Sequence, residues 1–164
     1  MKNFILMSFL IIIGFVFQTS FMIFFNHFKV IPNFSLILLV IFAIMSDGIQ
    51  GGLLGILTGL LYDSMIYSIF GLYTLIYFLI GALIGTYSIE MLRENKFLYS
   101  VAAGISTIFM HALLYLILFF LKFRVGLAAK IFPNIILETV INAVLVVFVA
   151  KIIMYLFDRF NVKV

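Results

Sequence analysis

The sequence predicts an all-α integral membrane protein of six transmembrane helices in a single domain, residues 1–164, and three observations predict it. Of its 164 residues 66% are hydrophobic and only 10% charged, with mean hydropathy +1.36, far outside the composition of soluble domains. Apolar runs of helical length are divided only by short polar breaks, which leaves no room for a soluble catalytic module. Glycines and polar residues inside those runs recur at helical spacing. There is no cysteine, which excludes disulfides, thiolate catalysis and cysteine-ligated metal. The net charge of +4 is spread over loops and ends. That distribution suits membrane orientation and anionic lipid rather than nucleic acid.

Residues 4–25 follow Lys2, and 22 residues rise roughly 33 Å, enough for a hydrocarbon core of about 30 Å. No small-x-small cleavage site follows Phe25, so this segment is expected to be an uncleaved span rather than a signal peptide. The break at Asn26-His27-Phe28-Lys29, then Pro32-Asn33, ends it, because proline lacks an N–H and disfavours helix in the residue before it. Segment two, 30–46, and segment three, 48–62, are short. They form either two thin spans or a re-entrant hairpin with Asp47 at depth, and two spans are favoured because an unpaired buried aspartate costs several kcal/mol. Segment four, 70–89, carries Tyr73 and Tyr77 one turn apart, with Gly81 and Gly85 on the same face. The polar break at 90–96 precedes segment five, 97–121. A basic loop, Lys122 to Lys130, and Pro133 precede segment six, 134–157.

Six spans put both termini on one side. With the N-terminus cytoplasmic, Lys2, Arg93, Lys96, Lys151, Arg159 and Lys163 lie inside, against Lys29, Lys122, Arg124 and Lys130 outside; this excess favours cytoplasmic termini. Tyr62, Tyr67, Tyr87, Tyr99 and Tyr155, near segment ends, suit the membrane interface.

Gly51, Gly55 and Gly59 form a GxxxGxxxG face on segment three, and Gly81 and Gly85 repeat the spacing on segment four. In lipid, a flat glycine strip lets backbones approach and gain dispersion contacts. It serves either internal packing or a partner or homodimer face. Asp63, closing segment three, reads as a cap for a following helix or an interfacial charge, and Asp47-Gly48 as a turn. Asn134, Glu138 and Asn142 share one face of segment six, as do Ser100, Gly104, Thr107 and His111 on segment five. Such stripes line a proton relay or substrate cavity, or they fix packing through interhelical hydrogen bonds worth about 0.6–2 kcal/mol each. Neither histidine has a ligand companion at metal spacing, and no phosphate-cradling Gly-Lys-Ser or Gly-Lys-Thr occurs. No cofactor, metal or catalytic residue is expected.

Pro32-x-Phe34 followed by LILLVIFAI, then GGLLGILTGLLYD closed by Asp63, then Phe70-Gly71-Leu72 and LIYFLIGALIG together resemble the MreD family of bacterial rod shape-determining membrane proteins. The resemblance extends to length, six apolar segments and a late asparagine, Asn142. One departure is the bulky SMIYSIF at 64–70, where small residues are usual. The resemblance implies a non-enzymatic component of the cell-wall elongation machinery in the cytoplasmic membrane. Its partners would be the bitopic protein MreC and, through it, RodA, a class B penicillin-binding transpeptidase and MreB. It also implies a fold similar to the substrate-binding S components of energy-coupling-factor vitamin transporters. Pro32, Gly55, Gly59, Asp63, Gly71, Gly81 and Asn142 are the positions matching the family pattern. An S component is the alternative function; segment one offers Ser8 and Gly14 but none of the Ala-x-x-x-Ala spacing by which S components dock.

Overall fold

The computed structural model describes residues 2–24, 30–65, 69–88, 95–122 and 128–159. Among them are six helices and no strand: α1 (Lys2–Phe24), α2 (Phe34–Ile44), α3 (Gly48–Asp63), α4 (Leu72–Tyr87), α5 (Lys96–Phe120) and α6 (Ala128–Arg159). The break at Asn26–Lys29, most of the polar break at 90–96, residues 123–127 of the basic loop, Tyr67 and Lys163 lie outside the described residues.

The centre of the molecule is α2. Its sequence, FSLILLVIFAI, is apolar all round, the pattern of a helix surrounded by protein or lipid. It touches each of the other five helices, and Leu36, Ile37 and Leu39 through Ile44 are at most 1% exposed. Phe42 stacks on Phe157 of α6 at 6.2 Å, with ring planes 7° apart. The helix is shorter than the expected segment 30–46. Residues 30–33 are not helical, since Pro32 cannot donate and Asn33 caps the helix with its side chain.

The other five helices pack around α2 in two hairpins and a single helix, α1. In the first hairpin α3 and α4 meet backbone to backbone. A Cβ on Gly55 would stand 2.2 Å from the Tyr77 carbonyl oxygen, and one on Gly51 would stand 2.3 Å from that of Gly81. Gly59 lies against the backbone of Thr74, and Gly85 against that of Asp47. In the second hairpin α5 and α6 meet through side chains, and Gly104 has ordinary room opposite Thr139 and Ala143.

Among the described residues three helices, α1, α5 and α6, are long and apolar enough to cross a membrane. The three shorter helices include α2 and α3, on the two segments expected to be short, and α4, which is shorter than the expected 70–89. At the helical rise, α3 and α4 reach about 24 Å and α2 about 17 Å, short of a hydrocarbon core near 30 Å. Because protein rather than lipid surrounds α2, its length need not match the bilayer. The last helix also begins earlier than expected, at Ala128 rather than Asn134. It runs through Pro133, which has no N–H to donate to the carbonyl four residues before it.

Gly55→Ala is expected to lower stability in detergent by about 1–3 kcal/mol, because the methyl meets rigid backbone and the helices must separate. At Gly104 the nearest atoms are 3.7 and 3.9 Å away, so Gly104→Ala is expected to be neutral or to stabilise by up to about 1 kcal/mol. Thermal unfolding of both variants checks this; equal melting temperatures would show that α3 and α4 do not depend on backbone contact.

Candidate functional site

A helix that begins inside an apolar bundle exposes N–H groups with no intrahelical partner, and the N-terminus of α2 is such a start. Its donors are met by three amide side chains from different parts of the chain. The Asn33 N–H donates to Asn142 Oδ1 of α6 at 3.0 Å. The Ser35 N–H donates to Gln18 Oε1 of α1 at 3.0 Å, and the Leu36 N–H to Asn33's own Oδ1 at 3.0 Å. Asn33 Nδ2 then donates to the Tyr77 hydroxyl of α4 at 2.9 Å and faces Met110 Sδ of α5 at 3.6 Å. Gln18, Asn33, Tyr77 and Asn142 are all buried, none more than 3% exposed. One asparagine thus ties α2 to α4, α5 and α6, and one glutamine ties it to α1.

The network extends on two sides. Gln18 Nε2 reaches the Tyr62 hydroxyl at 3.4 Å. Tyr62 packs with Tyr73 and Tyr77 at centroid distances of 4.9 and 5.6 Å, and those two lie 6.0 Å apart. On the other side Asn142 Nδ2 donates to Thr107 Oγ1 at 3.1 Å. The polar faces of α5 and α6 therefore meet each other. Beside that bond the Ser100 hydroxyl donates to the Ala143 carbonyl, and His111 Nε2 lies 2.9 Å from Glu138 Oε2 with both side chains partly exposed. Asn134, placed on the same stripe by spacing, is exposed.

Asp63 closes α3 and supplies the cap that α4 lacks. Gly71, the residue before α4, has φ +95° and no side chain to cap with, a conformation that glycine adopts without strain. The Asp63 carboxylate, 3% exposed, accepts the N–H groups of Gly71, Tyr73 and Thr74 at 3.0, 3.0 and 2.9 Å. It also accepts the Thr74 hydroxyl at 2.6 Å. An anion at a helix N-terminus meets both unpaired donors and the positive end of the helix dipole.

Of the residues singled out from sequence, Gly51, Gly55, Gly59, Gly81 and Gly85 lie in the α3–α4 contact, and Asp63 and Gly71 lie together at the turn between those helices. Asn142 is in the buried network and Glu138 is paired with His111. Pro32 leads into α2 next to Asn33. Two tyrosines assigned to the membrane interface sit elsewhere: Tyr99 is fully buried and Tyr62 belongs to the aromatic cluster, because each ring finds apolar partners inside the bundle. Tyr87 and Tyr155 are exposed. The residues missed were Asn33 and Gln18. Each had a local signal: an asparagine after proline and before an apolar run is an N-cap pattern, and a lone amide within a membrane-length apolar segment needs a partner.

Chemically the arrangement holds helices in register: amides, hydroxyls and one carboxylate meet backbone groups that hydrocarbon cannot satisfy. Among the described residues no three His, Cys, Asp or Glu side chains converge as a metal site.

Asp63→Ala is expected to cost about 1.5–3 kcal/mol of stability, the range for hydrogen bonds to a charged group. Asp63→Asn, which keeps one acceptor on the cluster of donors, is expected to cost less. In a double-mutant cycle Asn33→Ala and Asn142→Ala are expected to couple by at least about 0.5 kcal/mol. Thermal unfolding in detergent reads both, and strict additivity in the cycle would mean that the Asn33–Asn142 bond does not form.

Searches of curated proteins and of solved structures found no match to this chain. The family model described as rod shape-determining protein MreD matches residues 1–156, which take in α1 through α5, the whole buried network and nearly all of α6. By that match the chain belongs to the MreD family, membrane proteins of rod shape determination.

Proposed function

We propose that this chain is a non-enzymatic scaffold and regulator of the cell-wall elongation complex, supporting rod shape and peptidoglycan synthesis through an MreC-like bitopic partner. The observation that carries the reading is the family match across residues 1–156. RodA, a class B penicillin-binding transpeptidase and, indirectly, MreB are the further partners on this reading. The chain sits in the bacterial cytoplasmic membrane with both termini cytoplasmic, and α2, α3 and α4 complete six passes between the three longer helices.

The geometry supports a recognition role in two ways. Gln18, Asn33, Asn142 and Asp63, all buried, are engaged with helix ends and with neighbouring side chains, which makes the bundle a stiff frame. The outward faces are broadly apolar, as with Ile105 and Ile108 on α5 and Val140, Val144 and Phe148 on α6, so they suit lipid or a neighbouring transmembrane helix. The vitamin-transporter alternative gains nothing from the family match or from any solved structure.

Co-expression with the MreC-like protein, followed by purification through a tag on either chain, is expected to recover a stoichiometric complex in mild detergent. Depleting this chain in its own cells is expected to turn rods into spheres. Clean separation of the two chains, in detergent and in native membranes alike, together with unchanged cell shape, would defeat the scaffold reading.

A further inference from the structure

Directly beyond the buried network, on the side of Asp63, lies a second layer of polar side chains. Four inward stripes lead to it. One turn beyond Asn142 on α6 stands Glu138, and one turn beyond Thr107 on α5 stands His111; on α4 Tyr73 follows Tyr77, and on α3 Tyr62 follows Thr58. The two hairpins face each other across this layer. Glu138 lies within electrostatic reach of the Tyr62, Tyr73 and Tyr77 hydroxyls, and it meets His111 at 2.9 Å. The central helix takes no part, because α2 begins at the level of the network, where Asn33 bonds Asn142 and Tyr77.

Burial changes abruptly between the two levels. Asn33, Thr58, Tyr77, Thr107 and Asn142 are at most 3% exposed. Tyr62, Tyr73, His111 and Glu138 are all partly exposed, the last two by 20% and 16% of their side chains. Since all four continue the inward faces of their helices, the surface they expose opens within the bundle. Hydrocarbon penalises an accessible carboxylate or imidazolium heavily, and water entering from the end of the bundle does not. On the far side of the network the stripes run on through Gly51, Gly55, Gly81, Ala103, Val146 and Ala150, all buried. None of these six can carry a proton onward.

We propose that this layer is a water-filled vestibule, open only at the Asp63 end and closed beneath by the Asn33–Asn142 network, in which the His111–Glu138 pair exchanges protons with that one aqueous face. The vestibule is a dead end rather than a relay. Toward lower pH hydronium gives a proton to Glu138 and leaves as water; toward higher pH His111 gives its proton to hydroxide, forming water. Either step removes one of two opposite charges and weakens the contact between α5 and α6. Among the described residues the titratable groups facing the pair are the three tyrosines of α3 and α4, with Asp63 acting on Tyr73; α1 and α2 present Gln18 and Asn33, which do not titrate.

The chain has no cysteine, so a single introduced one reports its own surroundings. Exposed Ser64 and Gln50 stand at opposite ends of α3, and Ser64→Cys and Gln50→Cys therefore mark the two membrane faces whatever the orientation. Right-side-out and inverted vesicles holding the full chain are treated with a membrane-impermeant trimethylammonium methanethiosulfonate. Tyr73→Cys is expected to react from the Ser64 face alone, at least about tenfold faster than Ile105→Cys on the lipid side of α5, because only a wetted thiol ionises. Thr107→Cys is expected to stay unmodified from either face. Tyr62→Cys, on the same wall, serves in place of Tyr73→Cys if that variant does not fold.

The second measurement is thermal unfolding in detergent across pH. The native chain is expected to melt about 2–4 °C above Glu138→Gln where His111 carries a proton and Glu138 does not. That margin is expected to shrink as the pH is lowered or raised from there. His111→Gln, compared in the same way, replaces Glu138→Gln if the latter shows no melting transition. A wall cysteine that is unreactive, or that reacts from the Gln50 face, would overturn the vestibule, and modification of Thr107→Cys would overturn its closed inner end. A margin that does not change with pH would leave His111 and Glu138 as a packing contact and overturn the proton exchange. None of these outcomes bears on the scaffold reading, which stands or falls by co-purification.

Discussion

The structure depends on satisfying the N-terminus of α2, a helix enclosed by protein on every side. In an apolar interior each unpaired N–H costs several kcal/mol, so α2 can start there only if side chains reach its first turn. Asn142, Gln18 and Asn33 do so. Because those side chains come from α6, from α1 and from the turn before α2, satisfying the donors also sets where the outer helices stand. Asn33 adds Tyr77 of α4, so four elements share one constraint.

Around that centre the chain uses two ways of joining helices that lipid alone would not drive together. Between α3 and α4 the centre of the contact is a glycine strip, where Gly51, Gly55, Gly59, Gly81 and Gly85 bring backbone against backbone and the gain is dispersion. Between α5 and α6 the contact is a ladder of polar side chains, Ser100, Thr107 with Asn142, and His111 with Glu138. The first joint is sensitive to added volume, the second to loss of a hydrogen-bonding group. Both leave the outward faces apolar, as a bundle surrounded by lipid requires.

The two aspartates at the ends of α3 show how context divides similar residues. Both begin helices, Asp47 its own and Asp63 the next one. Asp63 is closed over by the turn that Gly71 makes possible and spends its carboxylate on α4. Asp47 stands exposed at the open end of the hairpin, its two oxygens accepting from the Gln50 N–H and side-chain amide. One carboxylate is closed over by the fold; the other stays exposed.

Composition and spacing by themselves determined the all-helical membrane class, the presence of six helical segments, the small-residue strips on segments three and four, and the polar stripes on segments five and six. These are properties of one helix at a time, written in a period of 3.6 residues. Local pattern could not say that the stripe on α5 meets the stripe on α6, or that Asn33 bonds Asn142 across 109 residues of chain, because hydrogen-bond partners are chosen by three-dimensional proximity. Nor could it say that α2 is enclosed while α1, α5 and α6 face outward. Lipid tails and a protein interior are equally apolar, so hydropathy is blind to the difference, and only the packing of the bundle decided which helix became the core.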